Sequence, residues 1–194
     1  MVKIGILGSG TGSNCRAILQ SIRDGRLRAE AKVVISDVFD AGILDVAREF
    51  GVANAYLMPG EFKTRLEPVR ESELVKMLRE AGIEVVVLAG FMRVLKEPML
   101  AAFEKRIVNI HPSLLPKFPG LEAWRQALEA GERKTGVTVH FVDAQIDHGE
   151  IIAQREVAIE TADTADSLHA RMQEVEHALY PEALARVCEK IRAA

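Results

Sequence analysis

The first 25 residues, MVKIGILGSGTGSNCRAILQSIRDG (Met1–Gly25), decide how the rest of the chain is read. Val2 to Leu7 is a short apolar run of strand type that stops at a cluster of glycines. The period then changes: Ala17, Ile18 and Ile22 recur at helical spacing until Gly25 ends the pattern. Strand, glycine loop and helix in that order form a βα unit.

The same alternation continues down the chain. AKVVISD (31–37) is a second buried-strand run, and AGILDVAREFG (41–51) a second helix closed by Gly51. NAYLM (54–58) reads as a short strand. The charged, turn-rich segment from Pro59 to Pro68 precedes an amphipathic helix, ESELVKMLREAG (71–82), and a strongly apolar strand, IEVVVLAG (83–90). KEPMLAAFEK (96–105) then predicts a short helix, RIVNI (106–110) a strand and LEAWRQALEAG (121–131) a helix. After that TGVTVHFVD (135–143) and IIAQREVAI (151–159) are strand runs with no helix between them, which predicts an antiparallel pair. Leu168, Met172, Val175, Leu179, Leu184 and Val187 mark a long last helix from Asp163 to Lys190, with a bend expected near Pro181. The fold class expected is α/β: a Rossmann-like, mostly parallel sheet with helices on both faces and an antiparallel strand pair near the C-terminal end. A chain of 194 residues that is 48% hydrophobic supplies one core, so residues 1–194 are read as a single domain.

Composition narrows the partners. A formal charge of −3, with no dense Lys/Arg cluster, speaks against nucleic acid as a partner. The one apolar N-terminal run is too short for a signal peptide or a membrane span, so no membrane association is expected. Cys15 and Cys188 lie far apart without metal-type spacing, which fits a reducing, cytoplasmic setting. The sequence leaves oligomeric state open, a homodimer included.

Two stretches carry chemistry. In GSGTGSN (8–14) the glycines lie between strand and helix, where backbone N–H groups and the helix dipole favour an anion. Ser13 or Asn14 is placed to cap the helix or bind that anion. Gly8, Gly10 and Asp37 imitate a dinucleotide site, although serine stands at position 13 where the fingerprint wants glycine or alanine. In NIHPSLLPKFPG (109–120), Asn109 and His111 point to one side of an extended strand and Pro112 holds the chain extended beyond them. An amide and an imidazole converging at the carboxyl end of a parallel strand can stabilise an oxyanion and move a proton. Asp147, in a turn-like segment, is a carboxylate able to orient that imidazole. His111, His140, Asp147 and His148 lack the spacing that would fix a metal, so none is expected.

N-I-H-P-S-L-L-P-x-x-x-G, together with LAGFMRVL (88–95), GSN (12–14) and D-x-G (147–149), resembles the phosphoribosylglycinamide formyltransferases, in order and over nearly the whole chain. The resemblance implies transfer of a formyl group from 10-formyltetrahydrofolate, as cosubstrate, to the amine of glycinamide ribonucleotide in purine synthesis. It implies a catalytic trio of Asn109, His111 and Asp147, and a ribonucleotide site in the N-terminal half at Gly12, Ser13, Asn14 and Arg65, with Gln173 and Glu176 on the ribose. It also implies a folate site in the C-terminal half, formed by Met92, Arg93, Leu95 and the segment Val142, Asp143, Ala144, Gln145 and Ile146. The tight SLLP turn of that family makes a cis Leu115–Pro116 bond an expectation. The chain departs from the family pattern at Leu121–Trp124, where a histidine-containing sequence is usual, which bears on packing near the motif. A nicotinamide oxidoreductase built on Gly8, Gly10 and Asp37, or a non-catalytic nucleotide-binding module, are the rival readings; neither gives Asn109 and His111 work to do.

Overall fold

The computed structural model describes residues 1–193 and carries seven strands in one sheet. The first half runs β1 (Val2–Leu7), α1 (Ser13–Arg23), β2 (Ala29–Ser36), α2 (Gly42–Glu49), β3 (Ala53–Tyr56), α3 (Pro68–Glu80) and β4 (Val85–Leu88). The second half runs α4 (Met99–Ala102), β5 (Ile107–His111), α5 (Ala123–Glu129), β6 (Lys134–Phe141), β7 (Ile151–Ala158) and α6 (Ala165–Ala193). Strand order is β3-β2-β1-β4-β5-β6-β7. The first five strands are parallel, β6 is antiparallel to β5 and β7 to β6, as the two helix-free strand runs predict.

Side-chain parity sorts the core into two layers. Val2, Ile4 and Ile6 of β1, with Val108 and Ile110 of β5, pack under α1, α2 and α6. Leu7, Val86, Leu88 and Ile107 face the other way, toward α3 and α4. Gly5 lies on that second face, where a Cβ would come within 2.8 Å of Leu78 Cδ2, so strand and helix approach more closely than alanine allows. Tyr180 of α6 is fully buried, and its hydroxyl is shared between the carbonyls of Leu88 at 2.9 Å and Val108 at 3.0 Å. That bond fixes α6 to the ends of β4 and β5, one residue short of Asn109.

Several boundaries differ from the sequence pattern. α3 begins three residues before Glu71, at Pro68, because proline at the first helical position arrives with helical φ and has no N–H to satisfy. α5 begins at Ala123 and not Leu121, since Glu122 takes a left-handed φ of 52°. α4 is reduced to Met99–Ala102. α6 continues through Pro181 as one element. Leu115–Pro116 is cis, as the tight turn predicts. No described helix is long and apolar enough to cross a membrane.

The site follows from the strand order. β1 has β2 on one side and β4 on the other, so the connections leaving its end and that of β4 diverge to opposite faces and open a crevice. Helices α3 and α4 cover only part of their face, and beyond them the ends of β5 and β6 border a cleft of about 590 Å³.

Candidate functional site

Asn109 and His111 occupy alternate positions at the end of β5 and share the face of Ile107, so both look into this cleft. The antiparallel register sets His140 of β6 opposite Asn109 and Thr138 opposite His111. Asp147 arrives from the β6–β7 connection with a left-handed φ of 51°. A Cβ on Gly149 would strike the Phe141 carbonyl oxygen, so the connection lies flat against the strand end and carries Asp147 back over the sheet.

The hydrogen bonds assign the protons. His111 Nε2 is 2.9 Å from the carbonyl oxygen of Phe118, which can only accept, so Nε2 carries hydrogen. Nδ1 is therefore the nitrogen left for chemistry, and it faces Asp147 Oδ2 at 3.3 Å. The Gly120 N–H donates to that same oxygen at 2.9 Å. The loop 118–120 thus holds the pair from both sides. His140 Nδ1 donates to the Phe141 carbonyl at 2.8 Å, which leaves its Nε2 lone pair to accept from Asn109 Nδ2 at 3.2 Å. Asp147 Oδ1 lies 3.6 Å from the same Nε2, too far for a hydrogen bond, so Asn109 is the partner we assign to it. One N–H of the Asn109 amide is used in this way and the second remains free for the cleft.

Burial pushes the His111 pKa down; Asp147 and the Phe118 carbonyl oppose this only in part. Burial also acts to raise the Asp147 pKa, but the Gly120 N–H and the charge of a protonated His111 oppose it and the carboxyl is held below its usual range. The linkage signs follow. A histidine that binds protons less readily when folded contributes stability above its ordinary value of about 6.5, which is lost as pH falls from there through its lowered folded value. The depressed Asp147 adds stability above about 3.9 that is lost as pH falls further. The melting temperature should therefore drop between pH 7 and 5, and His111→Gln should flatten that slope. His169 and His177, also lowered by burial, should keep it from vanishing. An unchanged slope in a folded variant, measured by thermal melts across pH, would contradict the assignment.

In the glycine loop, tied to the cleft wall by the Ser9 N–H to the Gly90 carbonyl, Gly12 takes the left-handed φ of 83° before α1, and no side chain caps the helix. The expectation that Ser13 or Asn14 caps it is corrected here: Ser13 is already helical, and Asn14 Nδ2 donates instead to Glu176 Oε2 at 2.7 Å. Glu176 is buried rather than solvated, because the start of α1 packs on α6, and its pKa is raised by that burial despite the Asn14 bond. Asn14 Oδ1 is buried with no hydrogen-bond partner in the protein, an unmet acceptor beside Glu176. Gln173 lies one helical turn before Glu176 and is partly buried. Arg65 stands apart: its guanidinium lies 4.2 Å over the Phe62 ring, outside the cleft lining.

Met92, Arg93, Leu95, Val142, Asp143, Ala144, Gln145 and Ile146 all line the cleft together with Asn109, His111 and Asp147. They differ in kind. Met92 and Ile146 are exposed lips, whereas Leu95 is buried against the α3–α4 layer. Arg93 contributes wall, but its Nε donates to Asp37 at 2.7 Å and its Nη1 to the Phe62 carbonyl. Asp37 bonds Arg93 and Ser9 through its two oxygens and its side chain is only 2% exposed, so it is not open to a nucleotide ribose, which removes the basis of the nicotinamide reading. Trp124, in the divergent segment, stacks on His169 with ring centroids 3.8 Å apart and planes 3° from parallel, so this departure is packed firmly. Among the described residues no group of three or more His, Cys, Asp or Glu is arranged to hold a metal ion.

Sequence reasoning weighed His140 only as a metal ligand and missed its bond to Asn109, and it missed the Phe118 carbonyl. The strand parity of TVHFV and the pairing of β5 with β6 would have placed His140 beside Asn109. Nothing local announces a backbone carbonyl that fixes an imidazole tautomer.

A family described as formyl transferase matches residues 2–184. The chain is 40% identical over 180 residues to the phosphoribosylglycinamide formyltransferase of Escherichia coli, covering 93% of this chain and 84% of that one. It is 43% identical over 185 residues to the trifunctional purine biosynthetic protein adenosine-3 of Drosophila melanogaster, of which it spans 14% while 94% of this chain is covered. The crystal structure of glycinamide ribonucleotide transformylase 1 from Symbiobacterium toebii superposes with a TM-score of 0.94 at 46% identity, over 98% of this chain and 89% of that one.

Proposed function

This chain belongs to the formyl transferase family, and on that premise we propose that its cleft transfers the formyl group of 10-formyltetrahydrofolate to the amine of glycinamide ribonucleotide. The observation that carries the proposal is the convergence of the Asn109 amide, His111 Nδ1 and the Asp147 carboxylate in a cleft whose wall residue Gly90 accepts the Ser9 N–H of the glycine loop before α1. The first group suits an acyl transfer. The second suits a phosphate.

The ribonucleotide phosphate sits at the backbone of Gly12, Ser13 and Asn14, and its ribose hydroxyls meet Asn14 Oδ1 and Glu176, with Gln173 one turn away. Arg65 reaches the phosphate only by leaving Phe62. The folate lies along Met92, Arg93, Leu95 and 142–146, with its formyl group beside the trio. The amine attacks the formyl carbon, a C–N bond forms and the carbonyl electron pair moves to oxygen. The free Asn109 N–H and a protonated His111 Nδ1 stabilise that oxyanion. Asp147 faces the resulting imidazolium and accepts or relays the proton shed by the amine. Collapse of the intermediate breaks the bond to N10 of the folate, which takes up a proton, so none is gained or lost overall. Burial disfavours the imidazolium at rest, so its stabilisation is realised mainly when the oxyanion forms, which is where binding energy accelerates a reaction.

Two-substrate kinetics test the assignment of the two ends. Asn14→Ala removes an acceptor and a link to Glu176, and should raise KM for the ribonucleotide by about tenfold, the worth of one hydrogen bond. KM for the folate should change little. Equal losses for both substrates would count against this division of the cleft.

A further inference from the structure

Asp37 follows the last residue of β2, and its side chain is only 2% exposed. One carboxylate oxygen accepts from the Ser9 hydroxyl at 2.5 Å, and the other from Arg93 Nε at 2.7 Å. The Ser9 oxygen in turn accepts the Met92 N–H at 2.9 Å, and the Ser9 N–H donates to the Gly90 carbonyl at 2.9 Å. Arg93 carries the chain of bonds on to the Phe62 carbonyl, three residues from Arg65. One buried carboxylate therefore joins the glycine loop 8–12, the cleft wall 90–95 and the segment holding Arg65.

This arrangement is costly unless it is used. A buried ion pair barely offsets the desolvation of its two charges, and apolar residues of similar volume would hold the same loops at no such cost. Its distinguishing property is directional: a bond at one loop is felt at the other through groups with few alternative partners. We infer that Asp37 is a positioning residue that couples ribonucleotide binding at the glycine loop to folate binding at the 90–95 wall. The inference rests on the substrate assignment proposed above. A phosphate seated on 12–14 draws in the loop that carries Ser9, and the Ser9–Met92 and Asp37–Arg93 bonds set the wall against the folate. By linkage the reverse influence is equal.

Calorimetric titration tests it with glycinamide ribonucleotide and a 5-deazafolate analogue that has no formyl group to transfer, each measured alone and with the other saturating. In the unmodified protein each ligand should tighten the other by about tenfold, within the usual range of such coupling. In Asp37→Asn, and separately in Arg93→Met, the factor should fall to about twofold or less, and the double replacement should lose no more. Ser9→Ala cuts the link while leaving the ion pair in place; it should act in the same direction and serves if an Asp37 or Arg93 variant fails to fold. A merely structural role would lower the melting temperature and leave the ratio unmoved. Mutual tightening that survives in every folded variant, or that is absent from the unmodified protein although both ligands bind, would overturn the inference alone. Failure of the unmodified protein to bind either ligand would overturn the functional reading, and the inference with it.

Discussion

Replacing His111 by alanine should lower the turnover number by roughly 10²–10³, about 2.7–4 kcal/mol, the usual loss when one oxyanion donor is removed. Asn109→Ala should cost a similar factor, because its free N–H faces the cleft while its other is taken by His140. KM should move little in either variant, since the oxyanion exists only in the transition state. His111 is buried and holds the Phe118 carbonyl, so the variant needs a check that loop 118–120 still lies over the site. The fluorescence of Trp124, the one tryptophan, supplies it: the residue lies four positions beyond Gly120 and lines the same cleft. Native-like fluorescence with near-normal turnover would remove His111 from the mechanism.

Asp147→Asn should do comparable damage by another route. Asparagine keeps the shape and an oxygen for the Gly120 N–H, but removes the negative charge that opposes the effect of burial on His111. The His111 pKa should then fall further, and the high-pH limb of the turnover profile should move toward lower pH. In the unmodified protein activity should fall at high pH as His111 loses its proton, and at low pH as the amine or Asp147 gains one. As His111 and Asp147 act as one unit, the double replacement should cost far less than the product of the single losses. Multiplicative losses measured in a mutant cycle would show the two to be independent.

How much of this was legible in the sequence depends on the distance over which each feature is determined. The β1 strand, its glycine loop and α1 are set by local period and punctuation, and the helix-free pair 135–143 and 151–159 announced the antiparallel edge of the sheet. That Asn109 and His111 share a face also follows from strand parity alone. The resemblance to a known family singled out Asp147, which the chain itself offered as a turn residue able to orient an imidazole. Long-range pairings were not visible. Glu176 on a charged helix reads as solvated until α1 is seen to pack its Asn14 against it. Arg93 reads as a cleft residue until Asp37, 56 positions away, is found holding it. The tautomer of His111 depends on a carbonyl in a loop whose φ values at Phe118, Gly120 and Glu122 are all left-handed, a course no propensity scale anticipates.

The central claim is tested most directly by following a labelled formyl carbon. The purified protein is incubated with glycinamide ribonucleotide and 10-formyltetrahydrofolate carrying ¹³C in the formyl group, and the ribonucleotide is examined by mass spectrometry beside the same reaction with His111→Ala. The account expects the label on the ribonucleotide amine with the unmodified protein, and a rate lower by roughly 10²–10³ with the variant. No label on the ribonucleotide, or transfer at the same rate by both proteins, would contradict it.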